Sequence, residues 1–114
     1  MVELSDDELL PAMLRVETVE TVETDTGSVR LRLVGEADIS TVPVLRSAID
    51  GALRSAPERL LLDVGELSFI DSSGLAELLA AAHSIGTVVL RDPPAIVRRI
   101  VTMSGLDSIL RMSP

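Results

Sequence analysis

The sequence contains no cysteine, lysine, tryptophan or tyrosine, and only one phenylalanine and one histidine. Without cysteine there are no disulfides and no thiolate metal sites, which fits a reducing compartment. With Phe69 as its one aromatic residue, the chain is unsuited to stacking on bases or caging a cation. His83 has no second histidine or cysteine to share a metal with, so no metal site is expected. There is no P-loop and no G-x-G-x-x-G, and no G-x-S-x-G elbow around a serine. No apolar run approaches the roughly 20 residues that cross a bilayer. Residues 1–7, Met-Val-Glu-Leu-Ser-Asp-Asp, lack the basic and apolar regions of a secretory leader. These absences lead us to expect a cytoplasmic protein without a cofactor, inserted in no membrane, that is not an enzyme.

What is present is an acidic, moderately apolar chain of 114 residues, 46% hydrophobic, with a mean hydropathy of +0.39 and a net charge of -8. That length suits one domain with a real core. The charge is uneven. Residues 1–27 hold eight acids and one arginine, whereas the remainder holds ten acids and nine arginines. The acidity thus belongs mostly to residues 1–27 and the rest is close to neutral; we divide the chain into an acidic N-terminal segment, 1–13, and a domain, 14–114. Such a balance lacks the basic footprint of a nucleic-acid binder. That every basic residue is arginine reads as compositional drift.

Period-two alternation over Leu14, Val16, Thr18, Glu20 and Val22 predicts a strand reaching Thr24. A turn at Asp25-Thr26-Gly27 leads to a second strand, Ser28–Val34, making a hairpin. Gly35-Glu36-Ala37-Asp38 should break that strand. Ser40 or Thr41 can then cap a helix over 42–56, with Pro43 in its first turn and Pro57 beyond its end. The apolar run in Arg59-Leu60-Leu61-Leu62-Asp63-Val64 predicts a central strand covered on both faces. The strand–helix–strand order implies a parallel pair with a right-handed crossover. Asp71, Ser72 or Ser73 caps the next helix, lined by Leu75, Leu78, Leu79 and Ala82 and ended at Gly86. A strand over 87–90 precedes a third helix with Ile96, Val97, Ile100 and Val101 inside. The expected fold is α/β, a mixed sheet of about four strands with amphipathic helices packed on it.

The chemistry concentrates at Phe69-Ile70-Asp71-Ser72-Ser73-Gly74-Leu75. A serine there opens a helix after a buried strand, beside backbone N–H groups that favour an anion. Phosphorylation would add roughly -1.5 to -2 charges without unseating the helix, while changing the surface that a partner meets. The plainer reading is a capping serine worth about 1 kcal/mol. A serine-hydrolase reading fails on distance, because His83 lies about three turns further along the same helix. Arg98-Arg99 reads as a solvated basic pair.

Three segments in order resemble the STAS domains of bacterial anti-sigma factor antagonists. They are Leu33-Val34-Gly35-Glu36-Ala37-Asp38, then Leu61-Leu62-Asp63-Val64 through Phe69-Ile70-Asp71-Ser72-Ser73-Gly74-Leu75, and finally Pro94-Ala95-Ile96-Val97-Arg98-Arg99 with Ser104-Gly105-Leu106-Asp107. The resemblance covers about residues 14 to 111. It implies that an anti-sigma factor serine kinase phosphorylates Ser72, with Ser73 the second candidate, and that a PP2C-type phosphatase reverses this. The unphosphorylated form would hold the anti-sigma factor and free the sigma factor. Partner contact is then expected from Gly35, Glu36, Asp38, Thr41, Asp71, Ser73, Gly74 and Leu75, with Asp38 in a loop near Ser72. Two departures stand out: the family often adds a C-terminal helix where this sequence stops at Pro114, and the stretch from Ala80 to Thr87 is short. A STAS subunit of an ABC-type lipid transporter, or a stressosome-like scaffold, is the alternative that shares the fold.

Overall fold

The computed structural model describes residues 14–19 and 27–114. The chain runs β1 (Leu14–Val19), β2 (Ser28–Ala37), α1 (Val42–Leu53), β3 (Arg59–Ile70), α2 (Ser72–Ile85), β4 (Val88–Arg91), α3 (Ala95–Met103) and β5 (Leu110–Ser113). The five strands lie in one sheet in sequence order. β1 pairs antiparallel with β2, and each later pair is parallel. This is the α/β mixed sheet expected from the sequence, with five strands where about four were expected. The added strand is Leu110-Arg111-Met112-Ser113, whose alternation is too short to stand out in the sequence. Pairing with β4 secures it, with Val88 opposite Leu110 and the Asp92 amide donating to the Ser113 carbonyl at 2.8 Å. The stretch from residue 20 to 26, which includes the end of the first expected strand and most of its turn, lies outside the described residues. Gly27, at φ +72°, takes the left-handed geometry that a turn residue before β2 needs.

Alternation decides which face of the sheet is core. Leu31, Leu33, Leu60, Leu62, Val88, Leu90 and Leu110 are buried on one face. They form one cluster with Leu45 and Ile49 of α1, Leu78 of α2, and Val97 and Val101 of α3. The opposite positions, Arg30, Leu61, Asp63, Val89 and Arg91, are only half-buried. The expectation that β3 is covered on both faces is therefore corrected. Its triple leucine reads as two-sided burial, yet Leu61 sits among arginines rather than under a helix.

Both central strands also run further than expected. β2 continues through Gly35-Glu36-Ala37 instead of breaking there, because two register shifts against β3 absorb the irregularity. Gly35, at φ +113°, sits at one of these shifts, a backbone geometry that a side chain resists. β3 extends through Leu67 and Ile70, both buried, although Gly65 and Ser68 interrupt its apolar pattern. α1 stops at Leu53 rather than residue 56, and Ala56 turns to φ +49° just before Pro57. In α3, Ile96 faces solvent at 43% exposure instead of joining the core. The contrast between Leu62 and Ile96 is measurable. Leu62→Ala should lower unfolding free energy by about 2–5 kcal/mol, while Ile96→Ala should change it by less than about 0.5 kcal/mol, both read by urea denaturation.

Candidate functional site

β2 and β3 end side by side, with Ala37 opposite Ile70, at the carboxyl edge where parallel sheets commonly place their sites. The next residue on β3's side, Asp71, donates its amide to the Ala37 carbonyl at 3.0 Å. Its side chain then caps α2. One carboxylate oxygen accepts from the Ser73 amide at 2.9 Å and the Gly74 amide at 3.1 Å. The other accepts from the Ile39 amide at 3.2 Å. Of the three possible caps, Asp71 is the one used, and it also ties α2 to the loop after β2.

Ser72 follows as the first residue of α2 and is exposed. Its hydroxyl bonds to no other described residue. Gly74 is buried one turn in. A Cβ there would stand 2.8 Å from the Ala37 carbonyl oxygen and 2.9 Å from Ile70 Cγ1. Only glycine lets the start of α2 come this close to the strand ends. Leu75 is anchored in the core at 6% exposure.

The facing loop is held by Asp38 and Thr41. Asp38 accepts from the Ser40 hydroxyl at 2.6 Å, the Ser40 amide at 3.0 Å and the Thr41 amide at 3.2 Å. The Ser40 hydroxyl above all, with these amides, holds the Asp38 carboxyl below its usual range against the opposing effect of desolvation. Thr41 is buried, accepting from the Asp38 amide at 2.9 Å and donating to the Glu36 carbonyl at 2.9 Å. Thr41, at the start of α1, makes no side-chain cap; the Asp38 carboxylate holds the Ser40 and Thr41 amides just before the helix, and the first helical amide, Val42, donates to the Asp38 backbone carbonyl at 3.0 Å. Between the helices, Arg46 donates to Glu77 at 2.8 Å, which raises the guanidinium's already high pKa.

The residues expected at the site thus fall into two sets. Asp38, Asp71, Ser72 and Ser73 converge at one rim, with Glu36 half-buried at the end of β2. Thr41, Gly74 and Leu75 lie beneath it and shape the surface from below, while Gly35 sits further down the strand at the register shift. Three exposed apolar residues at this end were not expected: Ile39 at 76%, Val44 at 42% and Phe69 at 39%. Ile39 is bonded to Asp71 through its amide, and Phe69 precedes Asp71 by two residues. An isoleucine between Asp38 and Ser40, in a loop of capping residues, was the available signal for Ile39.

A family model described as Mlab, STAS domain, matches residues 20–111. The anti-sigma-F factor antagonist RsfB of Mycobacterium tuberculosis is 32% identical over 97 residues, covering 81% of this chain and 78% of that protein. An anti-sigma factor antagonist from Mycobacterium paratuberculosis superposes with a TM-score of 0.76 at 27% identity, over 91% of this chain and 88% of that one. The Bacillus cell fate determinant SpoIIAA, in its phosphorylated form, gives a TM-score of 0.61 at 25% identity, over 89% and 91% of the two chains. The chain belongs to the STAS-domain family of anti-sigma factor antagonists.

The Asp38 loop carries a pH signature. Because the folded carboxyl is depressed, its ionised form supports the fold above the unfolded value of about 4, and that support fades as pH falls through the folded value. Asp38→Asn keeps an acceptor oxygen but does not titrate. Urea midpoints should favour the native chain by a constant margin from neutral pH to about pH 5, and the margin should close on further acidification. A margin that widened in acid would contradict the assignment.

Proposed function

We propose that the chain binds an anti-sigma factor serine kinase through the rim around Ser72, and that phosphorylation of Ser72 breaks that contact. The observation that carries this reading is the placement of Ser72: an exposed hydroxyl, unbonded among the described residues, at the start of α2. Around it, Asp71 and Asp38 fix the backbone, and Ile39, Val44 and Phe69 supply apolar surface. Such a rim offers a partner apolar anchors beside a hydroxyl that a kinase can reach.

The electrostatics give the switch its sign. The α2 N-terminus accommodates the added phosphate through its dipole, so the fold survives modification. A partner that had docked on the neutral hydroxyl meets instead a dianion beside the carboxylates of Asp38 and Asp71. Desolvating that group on rebinding is costly. A PP2C-type phosphatase restores the binding form, and the bound anti-sigma factor releases its sigma factor. In this reading the Ser72 hydroxyl, unbonded among the described residues, is the substrate of the kinase's active site. The transporter-subunit and scaffold readings share the fold.

The test is to incubate the protein with the anti-sigma kinase and ATP, then map phosphate by mass spectrometry. Phosphate should appear on Ser72 and vanish in Ser72→Ala, which should still bind the kinase. Ser72→Asp should weaken binding at least tenfold, about 1.4 kcal/mol. Modification confined to Ser73, or a Ser72→Asp chain that bound the kinase as tightly as the native one, would contradict the proposal.

A further inference from the structure

The face of the sheet turned away from the core is unusually basic for so acidic a protein. Register places Glu17, Arg32, Asp63 and Arg91 side by side across β1 to β4. The adjacent row brings Arg30, Leu61, Val89 and Arg111 together. On the other side, Arg15, Val34 and Glu66 form a third row. Over these three rows five arginines meet three carboxylates, in a protein whose net charge is -8.

The ion pairs show how the carboxylates are shared. Asp63 receives Arg30 at 2.7 Å and lies 3.8 Å from Arg91. Glu17 receives Arg15 at 3.2 Å and lies 3.5 Å from Arg32. Four guanidiniums divide two acids, while Arg111 is exposed and in no ion pair with a described residue. Val34, Leu61 and Val89 form a half-buried apolar floor among them. Glu66 and Asp92 line the groove with Arg91, so the surplus of positive charge lies toward β1 and β2.

We propose that this face docks the chain's own acidic N-terminal segment, residues 3–10. Glu3, Asp6, Asp7 and Glu8 supply four negative charges with no basic residue before Arg15, and Leu4, Leu9 and Leu10 supply apolar groups for the floor. Connection and reach agree. The segment joins the sheet at Leu14, opposite Gly35 and one strand away from β2. Six residues from Glu8 to Leu14 span up to about 20 Å, and β1 to β4 is about 14 Å. The neighbouring Ser72 end is the less favourable destination, because Glu36, Asp38 and Asp71 are gathered there. Lying across the arginine rows, the segment leaves that end clear for a partner.

Since the native chain has no cysteine, Ser5→Cys gives a single attachment point for a nitroxide on the full-length protein. At low salt the label should cut amide signal intensities around Arg30–Arg32 and Leu61–Asp63 at least twofold, and more strongly than those of α1 and α2. The intensities should recover in about 0.5 M NaCl, where charges are screened within a few ångströms. They should also recover in the labelled Arg32→Ser/Arg111→Ser variant, whose changes fall on exposed positions. Strongest broadening at Ile39 and Ser72, or broadening indifferent to salt and to the arginines, would overturn the proposal. So would equal broadening of isotope-labelled, unspinlabelled chains mixed with spin-labelled ones, which would make a second copy the occupant.

Discussion

The Asp71 carboxylate uses both oxygens, one on the Ser73 and Gly74 amides and the other on the Ile39 amide. The first pair ends β3 and starts α2, relieving two of the donors that a helix start leaves unsatisfied. The second bond pins the loop after β2 against that start. With the Asp71 amide also on the Ala37 carbonyl, one residue links both central strands, the loop and the helix. Ser72 is exposed because its neighbour does the capping. Had the serine capped the helix itself, its hydroxyl would be occupied and turned inward.

Everything beneath supports that junction. Gly74 allows the helix to close on Ala37 and Ile70, and Leu75 and Leu78 root it in the core. On the facing side, Thr41 is buried to hold the Glu36 and Asp38 backbone, so the loop is shaped before any partner arrives. A preformed surface of this kind loses little entropy on binding. In the proposed switch, a phosphate on Ser72 would add to the negative charge of Asp38 and Asp71 nearby. The same residues would then both position the hydroxyl and make its modification consequential.

Much of this was legible in the sequence because short-range chemistry wrote it. Asp71-Ser72-Ser73-Gly74 after an apolar strand announced a helix start, Gly86 announced its end, and at φ +84° it takes that role. Long-range pairing was less visible. Nothing local shows that Gly35 would be absorbed as a register shift, or that Leu110–Ser113 would find β4. Leu61 and Ile96 looked like core residues by composition, and only the packing of the helices on one face decided otherwise. At the site, the polar residues were readable as caps. Their apolar companions Ile39, Val44 and Phe69 were not, because exposure is a property of the assembled sheet edge.

The central claim is that Asp71 couples the α2 start to the Asp38 loop. Amide hydrogen exchange on Asp71→Ala tests it most directly. The account predicts faster exchange at Ser73 and Gly74, where the cap is lost, together with faster exchange at Ile39, which is 32 residues away in sequence. Exchange accelerated at Ser73 and Gly74 with Ile39 unchanged would show a plain helix cap and no coupling.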